Sequence, residues 1–388
     1  MCQDIGAGKV QNMPIAFKPF YPSSIPHLIA KAYFTGLTNV RLSPLSLISG
    51  RSLRKGGMQW LYFAGTSYLG IPYDETFHRL LKEGMDLFGS HYGGSRHSNI
   101  TLNVYEQGES FLASWLGMPA ALLASSGTLA GQLVARHLQD EAMCLYAPNI
   151  HTALQIGQVQ KITDWPEEME QIIRNHPGQT IAILCSAIDP LQTQPWNWDW
   201  IRELPPGRSY ILVVDDSHGF GVTGVQGRGV VQVLPNLPRG CELILVTSLA
   251  KAWGVPAGAV AGSRERMLKL YQDPLFIGSS PPPPMYTYAM QNAGPLYEAL
   301  RMNLLSRLER FQRQCQSLEK FQFIAGFPVF YTKHSGLFEF LYQKHVLISS
   351  FPYPTAQSKP VTRIVINASH TDDDIDRLAE LVDEYFRI

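Results

Sequence analysis

The chain has 388 residues, 45% of them apolar and only 16% charged, which suits a folded globular protein with room for a large and a smaller domain. Its 32 basic and 32 acidic side chains cancel to a formal net charge of zero, and no basic block stands out, which argues against a nucleic-acid-binding protein. The five cysteines (Cys2, Cys144, Cys185, Cys241, Cys315) form no CxxC pair, so neither a disulfide framework nor a metal site is expected. No apolar run approaches a membrane span, and the N-terminus lacks a basic region leading into an apolar core. The expected compartment is the cytoplasm.

Residues 1–58, with prolines at 14, 19, 22, 26 and 44, read as an N-terminal arm with a short helix or two. A strand is expected at 60–64, followed by the turn-rich Gly65-Thr-Ser-Tyr-Leu-Gly-Ile-Pro. Helical spacing runs over 76–87, and the glycine-rich polar stretch 88–100 is too long for a simple turn. A helix at 104–116 and an apolar strand at 120–124 come next. Leu129, Leu133, Val134 and Leu138 then share one helical face, which puts Ser126, Gly127 and Thr128 at a helix N-terminus just after a strand. Free amides and the positive dipole end make that an anion site, although serine and threonine are also ordinary N-caps. Strands at 142–146 and 181–185 flank a helix at 166–175. Such alternation points to an α/β protein with a mainly parallel sheet covered on both faces.

Two stretches carry the chemistry. Tyr210-Ile-Leu-Val-Val is an apolar strand ending in Asp215-Asp-Ser-His-Gly, so Asp215 and His218 lie at a carboxyl edge where open α/β sheets bind ligands. Gly219-Phe-Gly-Val-Thr-Gly matches the dinucleotide pattern in letters only, because Asp-Asp-Ser-His separates it from the strand and no helix follows. In the second stretch, the apolar run 243–246 leads through Thr247 and Ser248 to Lys251. Desolvation there favours a neutral, nucleophilic amine; the alternative is a solvated loop lysine. Beyond it, Ser279-Ser-Pro-Pro-Pro-Pro closes the large domain, and 285–318 reads as a long helix or helix pair. The remainder reads as a small α+β domain with strands at 337–341, 345–348 and 363–366 and a helix at 372–386 capped by Thr371. The expected division is 1–58, 59–284 and 285–388.

Ser126-Gly-Thr, His151, Asp215, His218, Ser248 and Lys251 together offer an anion site, a flat ring, a buried carboxylate, a second histidine and an amine. An aromatic, phosphorylated, aldehyde-bearing cofactor needs those parts. The motifs Asp215-Asp-Ser-His-Gly-Phe-Gly with Gly224-Val-Gln-Gly-Arg-Gly, and Ser248-Leu-Ala-Lys-Ala-Trp-Gly, resemble those of pyridoxal-phosphate enzymes of the aspartate-aminotransferase fold. More narrowly they resemble the α-oxoamine synthases, the group that includes 8-amino-7-oxononanoate synthase. Ser67-Tyr-Leu-Gly, Gly94-Ser-Arg, Asn149-Ile-His and Ala368-Ser-His-Thr-Asp-Asp-Asp fall in that family's order.

The resemblance implies a fold-type-I transferase, with a mainly parallel seven-stranded sheet in the large domain. It implies Lys251 as the residue that bonds the cofactor aldehyde, Asp215 as partner of the pyridinium nitrogen, and His218 as partner of the phenolic oxygen. It implies His151 over the ring face and the Ser126, Gly127, Thr128 and Ser248 groups around the phosphate. Ser279 matches a hydroxyl lent by the neighbouring subunit, which implies a homodimer with shared active sites. Arg363 matches the arginine that grips the amino-acid carboxylate.

The chain departs from the family at Ser67, a substrate-facing asparagine position, and at Ile100, Tyr105, Ala250 and 184–191. The implied reaction is condensation of an amino acid with an acyl thioester, carried by coenzyme A or an acyl carrier protein, to an α-amino ketone. The departures leave a second reading open, amino-group transfer on the same cofactor. A non-catalytic assembly subunit is a third, opposed by the retention of Lys251, Asp215 and His218.

Overall fold

The computed structural model describes residues 46–191, 193, 196–353 and 357–388. Strands β1 (Ser46–Ser49), β2 (Ser52–Lys55) and β3 (Met58–Phe63) form an antiparallel meander. Lys55 pairs with Met58 across Gly56 and Gly57, whose φ values of 57° and 81° supply the two left-handed residues of a tight hairpin turn. Residues 46–55 are therefore strands and not the short helix expected of an arm. Leu53 is the reason, packing with Trp60 and Leu347 in a small core of its own. Positions 1–45 of that arm lie outside the described residues.

Helices α1 (Glu75–Phe88) and α2 (Asn103–Leu116) bound the glycine-rich loop. Asp74 caps α1 by accepting the Phe77 N–H at 2.9 Å. Beneath the loop, Arg96 and Glu109 form a buried bidentate pair with two 2.9 Å bonds, and Glu109 also accepts the Leu123 N–H at 2.9 Å. Glu109→Ala strands a buried guanidinium, so it should lower unfolding free energy by about 3–5 kcal/mol in denaturant titration. A loss below about 1 kcal/mol would show that the pair is not buried as described.

The central sheet comprises β4 (Ala120–Ala124), β5 (Met143–Tyr146), β6 (Ile181–Ser186), β7 (Tyr210–Asp215), β8 (Cys241–Ser248) and β9 (Gly258–Gly262). Its spatial order is β4-β9-β8-β7-β6-β5; β5 to β8 run parallel and β9 is antiparallel to both neighbours. Every residue of β6 and β7 is buried, which is why both read as continuous apolar runs. Successive side chains take opposite faces. Leu212 and Val214 join the core with Leu112 of α2, whereas Ile211 and Val213 pack with Leu133 and Leu138 of α3 (Gly127–Gln139). Ser186, Asp215 and Val246 lie in register across three strands, so their carboxyl ends open at one edge.

Among the described residues this sheet has six strands, not the expected seven. Beyond β5 the chain makes one parallel bridge, Tyr146 to Lys161, and goes no further. Only Ile162 of residues 158–163 is buried, too little apolar surface to hold a full strand, and the chain turns at Pro166 into α4 (Glu167–Asn175).

Past β9 come α5 (Arg264–Tyr271), α6 (Pro274–Ile277) and the expected helix pair, α7 (Pro284–Asn292) and α8 (Gly294–Gln314). The C-terminal part contains β10 (Gln322–Phe323), β11 (Val329–Thr332), α9 (Gly336–Gln343), β12 (Val346–Pro352), β13 (Pro360–Val365) and α10 (Asp372–Arg387). Its sheet has seven strands in the order β1-β2-β3-β12-β13-β11-β10, with β3 and β12 parallel. The strand expected at 337–341 is instead helix α9. Leu337 and Leu341, one helical turn apart, are both fully buried, and a short apolar run fits either period. His345, with φ of 62°, takes the left-handed position that ends the helix, and β12 starts one residue later. Thr371 caps α10 in a reciprocal box with Asp374, as its spacing predicts.

Candidate active site

The carboxyl edge of the central sheet gathers the side chains singled out in the sequence. Asp215 ends β7, is 7% exposed, and accepts the Ser217 N–H at 2.9 Å. Asp216 points into the glycine-rich run and accepts the Val230 N–H at 2.7 Å. A Cβ at Gly219 would lie 2.2 Å from Asp216 Oδ1, and one at Gly229 1.9 Å from Oδ2. The glycines therefore let the loop close around a buried carboxyl, which burial pushes up to about 8. Ser217 Oγ accepts the Ser248 N–H at 2.9 Å and ties this turn to the end of β8.

Lys251 lies three residues past β8, with its Nζ 2.8 Å from His218 Nε2. On the other side of that ring, Nδ1 is 2.8 Å from the hydroxyl of Tyr68, a fully buried residue. Burial brings the Lys251 amine down to about 8, aided by Arg363 and opposed by the Asp215 and Asp216 carboxylates. The His218 ring is held well below its ordinary value, first by burial and then by Lys251, Arg363 and His151. A neutral imidazole thus faces an amine poised near neutrality, the condition a nucleophilic lysine needs.

His151 sits on the loop after β5. Its N–H donates to Ser186 Oγ at 3.2 Å, and its Nδ1 accepts the Ala153 N–H at 3.1 Å, which leaves the ring proton of the neutral form on Nε2. Burial lowers its basicity against the pull of Asp215. Asn149 fixes the same loop through both Ser186 backbone groups, at 2.8 and 3.3 Å. Gln132 of α3 donates to the carbonyls of Ala153 and Gln155, both at 2.9 Å.

Arg363 on β13 is 9% exposed and reaches across from the C-terminal sheet, with Nη1 donating to the Pro190 carbonyl at 2.5 Å. Its Nε is buried without a hydrogen-bond partner. His151, Asp215, His218 and Arg363 all line one cleft of about 260 Å³, whose apolar wall is made by Ile188, Leu191 and Phe351.

The residues of the expected anion site lie at the start of α3. Ser126 Oγ accepts the Leu129 N–H at 3.1 Å, and the Gly127 and Thr128 amides come first in the helix, with no intrahelical acceptor. A Cβ at Gly127 would come within 2.7 Å of Ser248 Cβ, so only glycine lets Ser248 approach this helix end.

Seven expected residues are absent from the cleft lining: Lys251, which meets it through His218, the helix-end group of Ser126, Gly127, Thr128 and Ser248, and Ser279 and Ser67. Ser279 follows α6 and donates its hydroxyl to the Leu275 carbonyl, and Ser67 offers its carbonyl to the Gly70 N–H at 2.9 Å. Neither lines the cleft. Sequence reasoning missed two that matter. Tyr68 was visible only as a letter inside Ser67-Tyr-Leu-Gly, and its reach to His218 spans 150 positions. Lys161 lines the cleft and donates to the Ile150 carbonyl at 3.1 Å, with no motif around it to signal this.

A family model for aminotransferase class I and II matches residues 167–382. The 8-amino-7-oxononanoate synthase of Pseudescherichia vulneris is 28% identical over 361 residues, 87% of this chain and 92% of that protein. That of Klebsiella pneumoniae (strain 342) is 29% identical over 232 residues, 57% of this chain and 58% of that protein. Among solved structures, a serine palmitoyltransferase from S. paucimobilis with bound PLP and myriocin superposes with a TM-score of 0.77 at 15% identity, covering 93% of this chain and 95% of that one. The fold is that of the PLP-dependent fold-type-I transferases. With more than half of its length matched by the family model, the chain belongs to the aminotransferase class I and II family.

Proposed function

We propose that the chain is a pyridoxal-phosphate-dependent C-acyltransferase that condenses an amino acid with an acyl thioester to an α-amino ketone. The observation that carries this reading is the contact of Lys251 with His218, next to a cleft where Asp215, His151 and Arg363 meet an apolar wall. The residues fit the cofactor: Gly127 leaves a cradle between Ser248 and the first amides of α3, and Lys251 and His218 meet at the cleft edge, while the unpartnered buried Nε of Arg363 is a donor left for a substrate. When bound, pyridoxal phosphate supplies an aldehyde for the amino group and a ring that takes up negative charge. Lys251 would hold the aldehyde, Asp215 the ring nitrogen, His218 the phenolic oxygen, and His151 the ring face. Ser126, Gly127, Thr128 and Ser248 would surround the phosphate. Beside the bound cofactor the Lys251 amine would serve as base for the substrate's α-proton, since burial keeps much of it neutral near pH 8.

Arg363 would take the amino-acid carboxylate, and Ile188, Leu191 and Phe351 would take the acyl chain. Arg363→Lys should raise KM for the amino acid by roughly 10- to 100-fold with a smaller change in kcat, because a point charge replaces a planar fork. An unchanged KM would remove Arg363 from carboxylate binding. We further infer a cytoplasmic homodimer in which Ser279 serves the partner's site. No helix among the described residues is long and apolar enough to cross a membrane.

The test is a purified protein loaded with pyridoxal phosphate and given glycine, alanine or serine with a series of acyl-coenzyme A thioesters. Thiol release dependent on the amino acid supports the synthase. Inert thioesters together with rapid formation of pyridoxamine phosphate would replace it by an aminotransferase.

A further inference from the structure

We propose that Tyr68 is a positioning residue that holds His218 in the tautomer with its proton on Nε2, by donating its hydroxyl to Nδ1. The inference rests on the reading above only for its meaning in catalysis; the hydrogen-bond logic stands on the chain's own atoms. Lys251 Nζ, His218 Nε2, His218 Nδ1 and Tyr68 Oη form one chain with both contacts at 2.8 Å. The Tyr68 ring cannot swing away. It is 1% exposed and meets Phe327 edge-on, and its carbonyl accepts the Ala368 N–H at 3.0 Å.

Two protonation patterns fit those contacts. In one, Lys251, as ammonium or amine, donates to a bare Nε2, and Nδ1–H donates to the Tyr68 oxygen. The Tyr68 O–H then needs another acceptor, and among the described residues its oxygen makes no hydrogen bond besides that to His218. In the other, Tyr68 donates to Nδ1, and Nε2–H donates to a neutral Lys251 amine. The Tyr68 hydroxyl and both ring nitrogens are then satisfied, and the two lysine N–H groups left over are no more than the ammonium leaves, so burial favours the second pattern. Tyr68 therefore biases Lys251 towards its free base and presents a donor, not a lone pair, on the cleft side of His218. A phenolic oxygen in the cleft needs that donor.

Other charges facing this chain act on the same balance. Asp215 and Asp216 from the end of β7 favour the ammonium, whereas Arg363 from β13 disfavours it. His151, from the loop after β5, acts on the His218 ring. None of them contacts His218 Nδ1, so the tautomer is Tyr68's to set.

The test uses the full-length chain without added cofactor, so that its outcome is separate from whether cofactor binds. With histidine labelled by 15N in the ring, the His218 signals are those lost in His218→Asn. Roughly one unit above the Lys251 midpoint, wild-type His218 should show a protonated Nε2 and a bare Nδ1; a protonated Nδ1 there would overturn the proposal. Competitive acetylation of Lys251 across pH, read by mass spectrometry, should give a midpoint about one unit higher in Tyr68→Phe than in wild type. An unchanged midpoint in a folded variant would also overturn it. Should Tyr68→Phe fail to fold, the wild-type tautomer alone decides.

Discussion

Lys251→Ala is expected to lower turnover by roughly a thousandfold or more, the largest loss of any single substitution at the site. The same residue serves as nucleophile towards the cofactor aldehyde and as base towards the substrate, so no neighbour replaces both roles. His218 cannot take over, because burial and the adjacent cations keep its ring neutral and weakly basic. Lys251→Arg should not rescue activity, since a guanidinium stays protonated at any working pH. The wild-type rate of cofactor capture should rise as pH passes about 8, where the Lys251 ammonium gives up its proton. Stopped-flow absorbance checks this; a variant retaining a tenth of wild-type turnover would remove Lys251 from the chemistry.

Asp215→Asn should cost about a hundred- to a thousandfold in turnover, the range for removing one preorganised electrostatic partner. The substitution is nearly isosteric, and its amide oxygen can still accept the Ser217 N–H that Asp215 Oδ1 accepts now at 2.9 Å. Only the negative charge is lost. Because that charge raises the Lys251 amine, the Asp215→Asn midpoint for Lys251 should fall below the wild-type value of about 8. Turnover and acetylation midpoint together separate an electrostatic role from a folding defect. A midpoint that rises would contradict the placement of Asp215 beside Lys251.

The parts of the fold legible in the sequence were those where burial leaves an unbroken run. β6 and β7, buried throughout, meet their first polar residue only at their ends, Ser186 and Asp215, and β8 has an unbroken apolar run from Leu243 to Val246 before Thr247 and Ser248. The functional residues follow those ends, so their order in the chain already suggested their meeting in space. Residues 337–341 were not legible in this way. Four apolar positions around Glu339 satisfy either period, and the helix is decided by the pairing of buried Leu337 with buried Leu341. The edge at Lys161 shows the reverse case, where a seventh strand expected from resemblance thins to one bridge because its residues have little apolar surface to bury.

Long-range contacts to the site were the least legible. Arg363 was placed by resemblance, and its guanidinium reaches the cleft from a different sheet. Tyr68 carries no signal of its contact with His218, because one tyrosine in a turn-rich loop looks like any other. Spacing along a chain reports which face of an element a residue occupies, and not which distant element covers it.

Borohydride reduction of the protein loaded with pyridoxal phosphate, followed by proteolysis and mass spectrometry, tests the central assignment most directly. The account predicts a pyridoxyl-phosphate mass on the peptide containing Lys251, and its absence from Lys251→Ala. A tag on another lysine, such as Lys161 of the adjoining cleft, or no tag on any peptide, would contradict it.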